Sequence, residues 1–247
     1  MKQNLAVLFG ERTNPDDKPV GNRILLSLPD VEYRRMRPHL QFIDLQDHFS
    51  LHEPGKKMQF AYFLNRGMAS IVVATREGKG VEAGIVGREG VVGVGVAVGL
   101  FRSPLRTVVQ ISGDAFRIAA AALQTTLPRT PHLQMLLGRY AVLQGMQVAQ
   151  TAACNRLHDI GQRLARWLLM AQDRVDVGTL PITHDFLANM LGTDRPSVSL
   201  AAGALQRHNL IRYSRGAVEI LDRKGLEGSA CECYRVIQQL NGELGLR

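Results

Sequence analysis

Arg195 stands in the stretch GTDRPSVSL, residues 192–200, directly after an aspartate and directly before a proline. Asp194 is a natural N-cap, and Pro196 fits a first helical turn, where its missing backbone donor is not needed. Arg195 is therefore expected in the first turn of a helix, with its guanidinium projecting from the helix start. A guanidinium held there can pair with O6 and N7 of a guanine edge. Ser197 and Ser199 are short polar residues on the same helix, able to meet bases or phosphates. Downstream, Arg207, Arg212 and Arg215, with Tyr213 and Ser214, suit phosphate contacts that fix register without reading sequence.

Other chemistries find little support. No Ser–His–acid arrangement, phosphate-binding P-loop or paired-carboxylate motif occurs, so an enzyme is not expected. Gly93-x-Gly95 followed by Gly99 is not a dinucleotide fingerprint, and glycines at turns and bulges of a wound sheet account for it better. Three cysteines, Cys154, Cys231 and Cys233, form neither a disulfide framework nor a four-ligand zinc site. They read as ordinary reduced thiols, with Cys231 and Cys233 the one candidate redox pair, and no metal is expected.

The elements that must position Arg195 are legible around it. Thr183 can cap a helix carrying Asp185 in its first turn and Phe186, Leu187, Met190 and Leu191 on an apolar face. Thr183 joins the candidate contacts. Gly192 stops that helix, because glycine accepts the left-handed cap conformation at little cost. Val198, Ala201, Ala202 and Leu205 then recur at helical spacing in the next helix. Two short helices joined by a turn with glycine make a helix-turn-helix. IRYSRGAVEIL follows, two β-prone stretches around Ser214-Arg215-Gly216, which reads as a hairpin wing. Helix-turn-helix plus wing points to double-stranded DNA.

Upstream, two textures meet near residue 130. From about Leu40 to Ile118 short β-branched runs alternate with glycine-bearing turns, as in FAYFLNRGMASIVVAT, the turn TREGKG and AGIVGREGVVGVGVAVGL, which suggests an antiparallel roll or barrel. PDVEYRRMRPHL before it reads as a short helix between Pro29 and Pro38. After Pro131, Leu136, Tyr140, Leu143, Gln147, Gln150, Cys154 and Leu157 step by threes and fours along one helix face. That face suits either a core helix or a dimerisation helix, and the C-terminal motif favours the latter. A second stripe, Leu157, Ile160, Leu164, Trp167 and Leu168, belongs to a following helix. The expected organisation is an α+β chain: a β-roll over 1–130, a dimerisation helix over 131–156 and a winged helix over 157–247.

At 45% hydrophobic and 21% charged residues the chain is globular rather than disordered. No run approaches the roughly 20 apolar residues of a membrane span, and MKQNLAVLFGERTN lacks the length and cleavage site of a signal peptide. A cytoplasmic protein without membrane partners is expected. The net charge of +8 favours a polyanionic partner, although residues 1–154 carry +6 of it and residues 155–247 only +2.

At these residues the chain resembles the Crp/Fnr family of bacterial transcription regulators. LPITHDFLANMLGTDRPSVSLAAGALQRHNLIRYSRGAVEILD follows the family pattern L-T-x-x-x-L-A, L-G-x-x-R-x-x-V, L-x-x-x-x-L-I and a short wing. LHEPGKKMQFAYFLNRGMAS is similar to its early β-roll. The resemblance implies a cyclic-nucleotide-binding-like β-roll, a homodimer on near-palindromic DNA and RNA polymerase as a partner. Two departures matter at the DNA end: Pro196 stands where a glutamate is familiar, and Leu200 where a second arginine is. The sensor end departs further. Arg106-Thr107 matches the family's phosphate-holding pair, but Gly87 and Glu89 lie further upstream than its Gly-Glu pair, across an apolar glycine-rich stretch. This speaks against a cyclic nucleotide and for a degenerate or altered effector pocket. No cysteine precedes Cys154, so the family's N-terminal iron–sulfur cysteines are absent. His39, His48, His52 and His132 leave haem open, and no cofactor is assigned. The rival reading is a ligand-sensing or protein-docking module whose winged helix does not read DNA.

Overall fold

The computed structural model of the chain describes residues 12–75, 80–175 and 178–246. The N-terminal stretch read as no signal peptide (residues 1–11) and the centre of the turn expected in TREGKG (residues 76–79) lie outside the described residues. The chain divides into two units. One holds the residues up to Ala69, Val86–Leu143 and those from Leu244, and the other holds Ser70–Ile85 and Gln144–Glu243.

In the first unit two short helices come first, α1 (Arg23–Ser27) and α2 (Asp30–Met36). Pro29 caps α2, Asp30 and Glu32 occupy its first turn and Arg34 and Arg35 its last, which complements the helix dipole at both ends. A 3-10 turn over Arg37–His39, with Pro38 inside it, ends the segment. Strands β1 (Gln41–Leu45), β2 (Ser50–His52), β3 (Phe60–Ala74), β4 (Gly80–Val86), β5 (Val91–Val92) and β6 (Arg106–Ala119) follow. They form one sheet in the order β1-β6-β3-β4, with β2 on β6 and β5 on β3. β1 and β6 pair antiparallel from Gln41 opposite Arg117 to Leu45 opposite Gly113. The β-branched and aromatic runs thus become strands, and Phe63, Leu64, Met68, Phe116 and Ile118 are fully buried. The glycine-rich stretch holds a 3-10 turn over Val94–Val98, bounded by Gly93 at φ 84° and Gly99 at φ 82°. Both angles are left-handed, which is why glycine stands at each end.

After α3 (Ala120–Thr126) comes α4 (Pro131–Leu157), a helix of 27 residues. Its first turn is capped from outside: the Glu32 carboxylate accepts the backbone N–H of His132 at 3.1 Å and of Leu133 at 3.0 Å. The face expected to meet a second copy is largely spent inside the chain. Leu136, Tyr140, Gln147 and Cys154 are buried, while Leu143 and Gln150 are half-buried. The regular threes and fours therefore track this chain's own core. The large exposed apolar side chains of α4 are instead Met135, Val142, Met146 and Leu157.

The second unit is built on α5 (Ile160–Gln172), followed by β7 (Thr179–Leu180), α6 (His184–Leu191), α7 (Arg195–Arg207), β8 (Ile211–Ser214), β9 (Ala217–Ile220), α8 (Arg223–Ser229) and α9 (Cys233–Gly242). A capping box starts α5: Asp159 accepts from Gln162 N at 2.9 Å, and Gln162 accepts from Asp159 N at 3.3 Å. Leu164, Trp167 and Leu168 are buried as their spacing implies, but Leu157 is exposed and Ile160 half-buried. Leu157 closes α4, before the chain turns at Asp159, so it falls out of the α5 stripe. The small sheet runs β7-β9-β8. Residues 70–85, the outer part of the β3–β4 pair, belong to this unit. From there Ser70 and Glu82 meet Trp167 in a buried polar cluster: Ser70 Oγ lies 2.5 Å and Trp167 Nε1 2.8 Å from the Glu82 carboxylate.

Candidate nucleic-acid interface

The local rules that place Arg195 operate as read. Thr183 Oγ1 accepts the N–H of Phe186 at 3.1 Å and starts α6. Gly192 ends it at φ 59°, ψ 45°, a conformation that would strain any side chain with a Cβ. Two residues later Asp194 Oδ1 accepts the N–H of Ser197 at 2.7 Å and starts α7, with Pro196 in its first turn. That hydrogen bond stabilises the Asp194 carboxylate and holds its pKa below the usual value. Val198, Ala201, Ala202 and Leu205 are buried at helical spacing, and Ala188 of α6 is buried as well.

The opposite face of α7 is open. Arg195 and Pro196 are exposed, and Leu200 is 76% exposed, a large apolar side chain with nothing over it in this chain. Arg195 Nε lies 3.4 Å from Asp185 Oδ1, with both side chains mostly in solvent. Such a pair is weak and leaves the guanidinium able to turn outward.

Not every expected contact points outward. Ser199 Oγ is hydrogen-bonded to His184 Nδ1 at 2.9 Å, and the His184 ring stacks on Tyr213 with centroids 3.9 Å apart. Ser199 and Tyr213 thus join α7, α6 and the wing, a positioning role that spacing alone does not reveal. Burial and the nearby Arg195 charge lower the pKa of His184, so the ring in this joint is neutral near pH 7. Gln206 Oε1 accepts the N–H of Tyr213 at 2.9 Å and ties the end of α7 to β8.

The wing is a two-residue hairpin. Ser214 pairs with Ala217, and Arg215 (φ 49°) and Gly216 (φ 77°) both take left-handed angles. Two successive positive φ values are the mark of the hairpin turn whose twist matches its strands. Arg215 and Ser214 are exposed at this tip, and Gly216 lies next to Thr183. Arg212 pairs across the hairpin with Glu219 at 2.9 Å, and Arg207 is exposed in the last turn of α7.

The expected effector residues are engaged within the protein. Glu89 accepts the backbone N–H of Gly87 at 3.2 Å within its own turn, and Thr107 is buried in the sheet opposite His52. Arg106 lies 3.6 Å from Glu53, with nearly half of its side chain exposed. A recess of about 270 Å³ in the same unit is lined by His52, Glu53, Lys57, Phe60 and Tyr62 among others, and by none of the four. Of the histidines that left haem open, His52 is buried and its Nε2 lies 3.0 Å from the carbonyl oxygen of Phe60. His39 and His48 are exposed and His132 is half-buried.

No four-ligand metal set was read from three cysteines, yet the fold brings Cys154, Cys231 and Cys233 together with His158. The fourth donor is a histidine side chain, and the two pairs lie more than seventy residues apart in sequence. The available signal was the pairing of C-x-x-x-H with C-x-C, which only proximity makes meaningful. The helices on either side of Cys231, α8 and α9, were not read from the sequence either.

Residues 162–228 match the family model of the Crp-like helix-turn-helix domain. No curated protein matches the chain at a significant level. Among solved structures, FixK2 from Bradyrhizobium japonicum is similar over 78% of this chain and 98% of its own, at TM-score 0.67 and 12% identity. A protein from Eubacterium rectale described as of the Crp/Fnr regulator family matches over 86% of this chain and 97% of its own, at TM-score 0.65 and 16% identity. The c-di-GMP-responsive global regulator CLP of Xanthomonas campestris matches over 78% and 99%, at TM-score 0.64 and 16% identity. At such identities the likeness is one of fold: an antiparallel sheet, helices and a C-terminal Crp-like helix-turn-helix.

Proposed function

We propose that this chain, with the fold of the Crp/Fnr regulators and a Crp-like helix-turn-helix domain over residues 162–228, is a sequence-specific DNA-binding transcription regulator acting as a homodimer on near-palindromic sites. One observation carries the reading. A capped and rigidly crossed helix pair presents the exposed face of α7, with Arg195 in its first turn, beside a wing tipped by Arg215. In this reading α7 enters the major groove and Arg195 pairs with a guanine. Leu200 offers the kind of apolar surface that meets a thymine methyl group, and no carboxylate stands at Pro196 to accept from a cytosine amine. The operator is therefore not the familiar one of the family. Arg207, Arg212 and Arg215 contact phosphates, and Ser199 and Tyr213 hold helix and wing in register.

A second copy packs against the exposed apolar side of α4, at Met135, Val142 and Met146, in place of the buried seam at Leu136 and Tyr140. Two recognition helices then address half-sites about 34 Å apart. The β-roll acts as an altered sensor, since Arg106 is paired with Glu53 and Glu89 is held in its own turn. RNA polymerase remains the expected partner and the cytoplasm the expected location. Among the described residues no helix is long and apolar enough to cross a membrane.

Selection of bound duplexes from a random pool, followed by fluorescence anisotropy, tests the reading. A near-palindromic consensus should emerge, and affinity should fall steeply with salt as counterions are released. Arg195→Ala should cost about 1–3 kcal/mol and relax preference at one symmetric base position. If no duplex beats random DNA at physiological salt, the rival reading, a module that senses a ligand or docks a protein, takes its place.

A further inference from the structure

Four metal-ligating side chains converge in the second unit at a place that the DNA-reading surface does not use. Cys154 and His158 lie four residues apart at the end of α4, where the N–H of His158 still donates to the carbonyl of Cys154 at 3.2 Å. That spacing puts both on one helix face. Cys231 and Cys233 flank the corner between α8 and α9. Cys154 Sγ lies 3.5 Å from Cys231 Sγ, and Cys233 Sγ lies 3.6 Å from His158 Nδ1. All four ligand atoms fall within 4.8 Å of one another.

We propose that Cys154, His158, Cys231 and Cys233 bind one zinc-class divalent ion in a closed tetrahedral site. Zinc–sulfur bonds near 2.3 Å and zinc–nitrogen bonds near 2.0–2.1 Å place tetrahedral ligand atoms about 3.5–3.8 Å apart. The observed separations already approach that spacing. An iron–sulfur cluster interposes several iron and sulfide atoms between its thiolates and needs a wider cage. A disulfide brings two sulfurs to about 2.05 Å and leaves the third thiol and the histidine without a role. Three sulfurs and one imidazole nitrogen are a donor set that selects zinc.

The surroundings match a bound ion. Glu232 Oε1 sits 3.2 Å from His158 Nε2, so a proton held there leaves the Nδ1 lone pair for the metal, the usual carboxylate–histidine support of such sites. Gln150 Nε2 donates to Cys233 Sγ at 3.0 Å, which suits a thiolate ligand. Arg163 and Arg166 are buried, interact electrostatically with Cys154 and Cys231, and each has an Nε without a hydrogen-bond partner. Buried cations need anionic partners. Three thiolates around a divalent ion carry one net negative charge, in addition to the Glu82 carboxyl that Arg166 also faces, whereas three neutral thiols carry none. With four protein ligands the site has no open position, so the ion ties the end of α4 to the α8–α9 corner and performs no catalysis.

The test uses the full-length chain, purified reduced, stripped of metal by a chelator and titrated anaerobically with Co2+. One cobalt per chain should bind, with the strong visible ligand-field bands of a tetrahedral ion and near-ultraviolet thiolate-to-cobalt charge transfer. One equivalent of zinc should displace it and protect all three thiols from a chromogenic disulfide reagent. Cys231→Ser and His158→Ala should abolish tight binding. Because a substitution in the buried set can impair folding, the exposed Glu232 gives the second variant. Glu232→Gln should keep the fold and the one-ion stoichiometry while weakening cobalt binding roughly 10–100-fold. A folded chain that shows no tetrahedral cobalt spectrum, that holds a disulfide after reduction, or that carries iron with acid-labile sulfide overturns the proposal.

Discussion

Glu82, on β4, is buried against α5, and burial pushes its pKa up from 4.5 to about 7. The hydrogen bonds from Ser70 and Trp167, and the charges of Arg166 and Arg174, pull the other way without overcoming desolvation. The perturbation is Glu82→Gln, which keeps an oxygen to accept from Trp167 and gains an N–H for Ser70. In the wild type the folded state binds the proton more tightly than the unfolded chain, so folding is favoured at low pH. This stability is full below pH 4.5 and is lost as pH rises through about 7. A shift of about 2.5 pKa units corresponds to roughly 3 kcal/mol. About a quarter of the loss has occurred by pH 5, so the stability of Glu82→Gln relative to wild type should rise by about 2–3 kcal/mol between pH 5 and pH 8. Urea unfolding followed by Trp167 fluorescence at several pH values measures it. A difference that stays level with pH, or falls, would refute the reasoning. It would mean that Arg166 and Arg174 hold Glu82 ionised and that pairing outweighs desolvation.

Three further outcomes are expected in the winged helix. Thr183→Ala removes the cap on Phe186 N and should cost about 1 kcal/mol, while Thr183→Ser retains it; chemical denaturation separates the two. Gly192→Ala forces a Cβ into a left-handed turn 3.0 Å from Val81 Cγ2. It should destabilise the fold by about 1–2 kcal/mol, visible as a lower melting temperature. Leu200→Ala alters an exposed side chain, so stability should stay within about 0.5 kcal/mol. On the selected duplex it should lose about 1 kcal/mol of affinity. Replacing thymine by uracil at one symmetric position should reproduce that loss, and the two changes together should cost no more than either alone.

Much of this protein is written in short-range terms. Asp194, Pro196, Gly192 and Thr183 fix where α6 ends and α7 begins, because caps and left-handed turns depend on backbone groups two to four residues away. Ser214-Arg215-Gly216 fixes the wing for the same reason, and the β-branched runs between Leu40 and Ile118 announce the sheet. The fold class and the exposed place of Arg195 follow from that information. Partners distant along the chain are another matter. The threes and fours of α4 mark an apolar face but not what covers it, and Leu136 and Tyr140 turn out to be buried in their own chain. Ser199 and Tyr213 have the chemistry of DNA contacts, yet His184 draws both into a joint. Glu82 and Trp167 lie 85 residues apart, and Cys154 and Cys231 lie 77 apart. Local hydrogen bonding is specified by neighbours in sequence, so the sequence by itself determined the starts of α6 and α7, the turn between them, the wing and the texture of the larger sheet. Burial, ring stacking and ligand convergence depend on which surfaces meet once the chain is packed, and only the tertiary structure decided those.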